Sequence, residues 1–332
     1  MKKGLLISCA ALGLASTLLL SSCGKSEEYD VIATSFAGYD FARAVAKDNL
    51  SCSMLLNPDT DLHEYSPSPR DILSIKKSKV FIYIGGESDE EWVESQILPQ
   101  IDSNKTTVIN MMEVVEEKGG NQYEEEDPSS YEPEGIDSNA SFAKQIHDDE
   151  EEYDEHIWNS LTNAKLIIEE ISSVFKAIDE KNKESYETNK EDYIAKINEV
   201  DNNIKDVIKT SSKDLIVFAD KFPLLYFVKE YGLQYDAAFK GCDSSNSASA
   251  TTIIKLANKV CENDLNTIFV IELSKNQSIA NSVKSKVQEK GKDVEIRTFY
   301  TMHNVSKDDL DKGTTYVDFM NKNVESLNIA LN

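Results

Sequence analysis

A two-lobed α/β protein, with parallel sheets flanked by helices in each lobe and a long linking helix between them, is the architecture the sequence predicts. Three observations carry this reading. Short apolar strands alternate with helical segments over residues 29–84, the same alternation returns after residue 214, and residues 159–210 between them have helical spacing throughout.

The N-terminus comes first. Lys2 and Lys3 precede a run at 4–20 that is apolar apart from Ser8, Cys9, Ser16 and Thr17, a secretory pattern too short for a stable membrane span. It ends in Leu20-Ser21-Ser22-Cys23, which resembles the lipobox of bacterial lipoproteins. That resemblance implies cleavage before Cys23 and acylation of its sulfur, with residues 1–22 as signal peptide and 23–28 as a lipid-anchored tether.

The first lobe spans 29–180. Strands are expected at 30–34, 51–56 and 79–84, with helices at 38–46 and 69–75; the second of these starts at Ser68 as N-cap, with Pro69 in first position and Asp71 closing a capping box. Between residues 113 and 155 there are 17 Asp and Glu against Lys118 and Lys144, a net charge of 2 − 17 = −15, with few large aliphatics. Such composition predicts an acidic, solvated and disordered loop; the sharper alternative is a weak collector of cations for a nearby site, with His147, Asp148, Asp149 and Glu150 taking part.

The helical middle carries apolar residues at Leu166, Ile167, Ile171, Val174, Phe175 and Ile178, then at Tyr186, Tyr193, Ile194, Ile197, Val200, Ile204 and Ile208, with a break at 179–182. The linking helix is placed at 181–211. The second lobe, 212–332, is expected to have strands at 215–219, 234–239, 267–271 and 294–301 and helices near 224–231, 248–261 and 277–290.

Charge and cysteine use narrow the function classes. The formal charge is −24, and removal of residues 1–22 takes away two lysines and no acids, leaving about −26, which argues against a nucleic-acid partner. Cys52, Cys242 and Cys261 would remain in the mature chain with Cys23. The internal three allow at most one disulfide and lack the paired CxxC of a structural zinc site.

Histidine is the commonest metal-binding side chain, and this chain has four. His63 follows a strand and precedes a helix; His303 has the same address in the other lobe, before a helix starting at Ser306. Asp220 and Glu272 also cap strands of the second lobe, and His156 stands where the acidic stretch meets the helical middle. Ligands of open α/β sheets bind beyond the carboxyl ends of strands, so two facing lobes would enclose a cleft there.

Leu62-His63-Glu64-Tyr65-Ser66-Pro67-Ser68-Pro69 and Asp154-Glu155-His156-Ile157-Trp158 resemble the first two metal motifs of the ZnuA/TroA-like family, the metal-binding solute-binding lipoproteins of ABC transporters. Gly85-Gly86-Glu87-Ser88-Asp89 with Trp92, residues 182–193, Tyr231-Gly232-Leu233 and residues 316–323 extend the match to nearly the whole mature chain. The resemblance implies a metal site in the interlobe cleft, a rigid linking helix, and delivery of the ion to an ABC permease driven by its ATPase. It puts His63 and His156 at the first two ligand positions and His303 near the fourth. Ala219 stands where a third ligand is expected, which leaves that place to Asp220, to water or to another side chain such as Glu272.

Zinc is the expected ion, with manganese second, and binding should weaken as pH falls through roughly 6–7. A monomer on the outer face of the cell membrane is expected. The chain has neither an HExxH helix nor a GxSxG elbow, which argues against a secreted zinc hydrolase. A surface lipoprotein that buffers metal or serves adhesion is the other alternative.

Overall fold

In the computed structural model the described residues are 28–125, 153–242, 248–272, 274 and 277–332. Cys23 and the stretch holding His147, Asp148, Asp149 and Glu150 lie outside them.

The first lobe runs β1 (Val31–Ala33), α1 (Phe36–Ala46), β2 (Cys52–Met54), α2 (Pro69–Ile75), β3 (Val80–Tyr83), α3 (Glu90–Trp92), β4 (Thr107–Asn110) and α4 (Met111–Glu117). Its parallel sheet has the order β2-β1-β3-β4. Every residue of β1 and β3 is buried, as expected of central strands covered on both faces. The Ser68 cap and its capping box with Asp71 are present. Neither β4 nor α4 was expected, and α4 takes in the start of the acidic run: Asn110 caps it, while Met111, Val114 and Val115 turn inward and leave the glutamates outside.

Two helices follow. Ser160 caps α5 (Leu161–Ile178), and after a single turn at Glu180–Asn182 the 28-residue α6 (Lys183–Thr210) begins. At 1.5 Å per residue α6 is about 40 Å long. Its buried face is Tyr186, Tyr193, Ile197, Val200 and Ile204, which recur at helical spacing.

The second lobe runs β5 (Leu215–Phe218), α7 (Leu225–Tyr231), β6 (Gln234–Ala237), α8 (Ala250–Glu262), β7 (Thr267–Ile271), α9 (Ser278–Glu289), β8 (Glu295–Phe299), α10 (Lys307–Asp311) and α11 (Tyr316–Leu331). Its sheet order, β6-β5-β7-β8, repeats that of the first lobe strand for strand. Thus β6 is the counterpart of β2, and β8 of β4.

The lobes are not separate cores. One apolar cluster runs from Val31, Phe36 and Phe41 through Trp158, Phe175 and Tyr193 to Phe218, Phe269 and Phe299. Rings cross the junction, with Phe36 5.7 Å from Phe319 and Phe41 5.0 Å from Tyr316. A buried polar knot reinforces it: Asp40 accepts from Tyr193, from Arg43 and from the Tyr316 amide, while Arg43 donates to the Thr314 carbonyl at 2.6 Å.

Loops also tie the two lobes together beside the cleft. Asn304 donates from its side-chain amide to the carbonyls of Asn57 and Thr60, at 2.6 and 2.5 Å, and the Asp59 amide donates to the Val305 carbonyl. These bonds link the loop leading to His63 with the loop that carries His303.

Candidate metal centre

His63, His156, Cys242 and His303 converge between the lobes, one ligand atom of each lying within 4.8 Å of every other. Each comes from a different segment. His63 sits in a helical turn after β2, where Asp61 accepts from the His63 amide. His156 precedes the turn that leads into α5, Cys242 follows β6, and His303 follows β8.

The histidines are oriented by what their Nδ1 atoms touch. His156 Nδ1 lies 2.9 Å from Asp154 Oδ1, a pure acceptor, so Nδ1 carries the proton and donates. His303 Nδ1 is 2.8 Å from the Thr301 hydroxyl, which itself donates to Glu272 at 2.8 Å and so accepts from the imidazole. In the same way His63 Nδ1, 3.0 Å from the Ser88 hydroxyl, donates to an oxygen whose own proton goes to Glu155. Two histidines are thus held by hydroxyl–carboxylate relays and one directly by a carboxylate, the arrangement that fixes metal-binding imidazoles.

All three Nε2 atoms are left facing one another. The Nε2 atom of His63 is buried with no hydrogen-bond partner among the described residues, and those of His156 and His303 are 2.7 Å apart. Cys242 Sγ stands 3.2 Å from the first of these and 3.0 Å from the second. With zinc–nitrogen bonds of about 2.0–2.1 Å, tetrahedral ligands would stand about 3.3 Å apart, so an ion would widen the gap between the two inner nitrogens by about 0.6 Å.

The electrostatics suit a cation. Burial and the neighbouring His156 hold the His63 ring down to about 4, and the same two causes, with His63 added, hold His303 well below the usual imidazole range. Burial alone would depress His156 too, but its contacts with Cys242 and Asp154 outweigh it and hold that ring well above the usual range, while burial pushes the Cys242 thiol up. Burial pushes Glu155 up and raises Glu272 to about 7.

Asp220 and Glu272 are placed differently from expectation. The Asp220 carboxylate accepts from the amides of Lys221 and Ile271, bracing the end of β5, and is outside the cluster. Glu272 accepts from the Thr301 amide and hydroxyl and from the His303 amide, so it supports a histidine from behind. Asp154 and Glu155, counted in sequence with a solvated acidic loop, are buried at 4 and 1 % exposure and anchor histidines. Cys242 is the residue sequence reasoning missed. Its address was the available signal, because it follows β6 as His63 follows β2.

Two matched sheets with a long helix between the lobes, and three imidazoles and a thiol facing one another in the cleft, define a two-lobed binding protein with a cation-ligand cluster at its centre. The chain belongs to the zinc-uptake complex component A periplasmic family, whose model matches residues 31–330. That family consists of substrate-binding proteins of metal transport rather than enzymes, and proteins of this type work with an ABC transporter.

The chain is 25 % identical over 327 residues to the high-affinity zinc uptake system protein ZnuA of Bacillus subtilis, covering 96 % of this chain and 95 % of that one. It is 25 % identical to the zinc-binding lipoprotein AdcA of Streptococcus pneumoniae, over 93 % of this chain and 58 % of that longer protein. Among solved structures, the metal-dependent lipoprotein YcdH of Bacillus subtilis superposes with a TM-score of 0.69 at 24 % identity, covering 91 % of this chain and 99 % of that one. The periplasmic zinc-binding protein TroA of Treponema pallidum does so at 0.68 and 17 %, covering 92 and 99 %. At these identities the likeness to the solved structures is one of fold.

Proposed function

We propose that this chain captures zinc outside the cytoplasm, through His63, His156 and His303, and hands it to an ABC permease. The observation that carries the reading is the set of three imidazoles with Nδ1 committed and Nε2 turned to one point, with the His63 Nε2 lacking any partner. Relatives named as zinc-uptake and zinc-binding proteins support the choice of ion, and nitrogen and sulfur donors suit zinc better than manganese.

Cys23 serves in this reading as the acylated anchor that keeps the protein at the membrane. Among the described residues no helix is long and apolar enough to cross a membrane. Calorimetric titration of metal-free residues 24–332 with Zn²⁺ and Mn²⁺ tests the proposal, with His63→Ala and His303→Ala alongside. Tight zinc binding that both substitutions weaken is expected. Affinity no tighter than millimolar for either ion, or substitutions without effect, refutes it.

A further inference from the structure

Resting on that metal-capture reading, we propose that Cys242 is the fourth ligand of the centre and sets its selectivity, favouring thiophilic ions such as zinc and cadmium over manganese.

The thiol is placed as a ligand is placed. It faces the Nε2 atoms of His156 and His303, both in buried rings whose other nitrogen is already committed. Cys52 shows the contrast, its sulfur directed at the Leu50 carbonyl 3.8 Å away. Cys242 also lies in the loop that follows β6, the strand that corresponds to β2, so the two lobes contribute His63 and Cys242 from corresponding loops.

Among the described residues the nearby carboxylates are committed to other partners, and none joins the cluster. Glu155 uses one oxygen on the Ser88 hydroxyl and the other on the Ser88 amide. Glu272 uses both on Thr301 and His303, and Asp154 Oδ1 receives both the amide and the ring of His156. Manganese prefers carboxylate and water oxygens, whereas a thiolate with three imidazoles is a zinc-type donor set. Coordination forms a metal–sulfur bond and releases the thiol proton to solvent, with no change in oxidation state.

Cobalt(II) absorption spectroscopy on residues 24–332 tests this, comparing wild type with Cys242→Ser and Cys242→Asp, and with Cys52→Ser and Cys261→Ser as controls. Wild type and both controls should show a thiolate-to-cobalt charge-transfer band in the near ultraviolet. Both Cys242 variants should bind cobalt without it. Zinc affinity should fall at least about tenfold in Cys242→Ser, no less than loss of a supporting residue costs, and Cys242→Asp should narrow the preference for zinc over manganese. Cobalt binding by wild type without the band, or a Cys242→Ser protein with unchanged zinc affinity, overturns the assignment of Cys242 while leaving the three-histidine reading intact. Failure of wild type to bind zinc or cobalt at all overturns both.

Discussion

Thr301→Val removes one hydroxyl from the centre at almost constant volume. In the wild type that hydroxyl takes the proton of His303 Nδ1 at 2.8 Å and gives its own to Glu272 at 2.8 Å, and the residue is fully buried. Valine leaves the Nδ1–H of a buried imidazole without an acceptor, at a cost of about 1–3 kcal/mol. The ring can escape that cost by moving its proton to Nε2, which removes the lone pair a metal needs. Loss of such a support typically weakens metal binding about 10–100-fold, equivalent to roughly 1.4–2.8 kcal/mol, so the two lines of reasoning meet. The assay is zinc competition against a chromophoric chelator, with thermal unfolding of the metal-free protein measured in parallel. Thr301→Ser should restore affinity to near the wild-type value because it restores the hydroxyl. If Thr301→Val binds zinc as wild type does, or if Thr301→Ser is as weak as Thr301→Val, the relay does not position His303.

Two other expectations follow from particular atoms. A Cβ at Gly86 would fall 2.4 Å from the Glu155 Cβ and 2.7 Å from its Oε2, so Gly86→Ala should cost about 1–3 kcal/mol in urea unfolding and also weaken zinc binding by displacing the partner of Ser88; unchanged stability would contradict this. In the metal-free protein the His63 ring should titrate near 4 by NMR, with stability that is present above about 6.5 and lost as pH falls toward 4, because burial disfavours its charged form. A midpoint above 6 would refute this. This places proton competition at His63 below the range of roughly 6–7 expected from an unperturbed imidazole.

Elements with strong local chemistry were legible in the sequence. The capping box at Ser68 and Asp71 set the start of α2, and the β-branched run at Thr267–Ile271 marked β7. By contrast β4 has only four residues and passes directly into α4 through the Asn110 cap, so neither period had room to show before the acidic run obscured it. His63, His156 and His303 were legible as ligand candidates from residue type and address. Glu155 was misread because composition counts charge without partners, whereas the Ser88 amide and hydroxyl satisfy this one in the interior. Cys242 was hidden for a different reason: the missing ligand position falls on Ala219 after β5, while the thiol enters from the loop after β6, which only the repeated sheet order makes the counterpart of the loop after β2.

The apolar cluster shared by the two lobes limits what kind of message the protein can send. Opening the cleft like a clamshell would expose Phe36, Phe41, Trp158, Tyr316 and Phe319, each 2 % exposed or less. At about 2–3 kcal/mol for each large side chain the total is on the order of 10 kcal/mol. An ion bound at micromolar affinity supplies only about 8 kcal/mol. On this reckoning loaded and empty forms would share one body and differ at its rim, in the short loops around residues 57–64 and 301–307 that are tied to each other. Under the proposed function, a permease that distinguishes the two would be reading a few displaced loop atoms, with the rest of the surface presented alike in both.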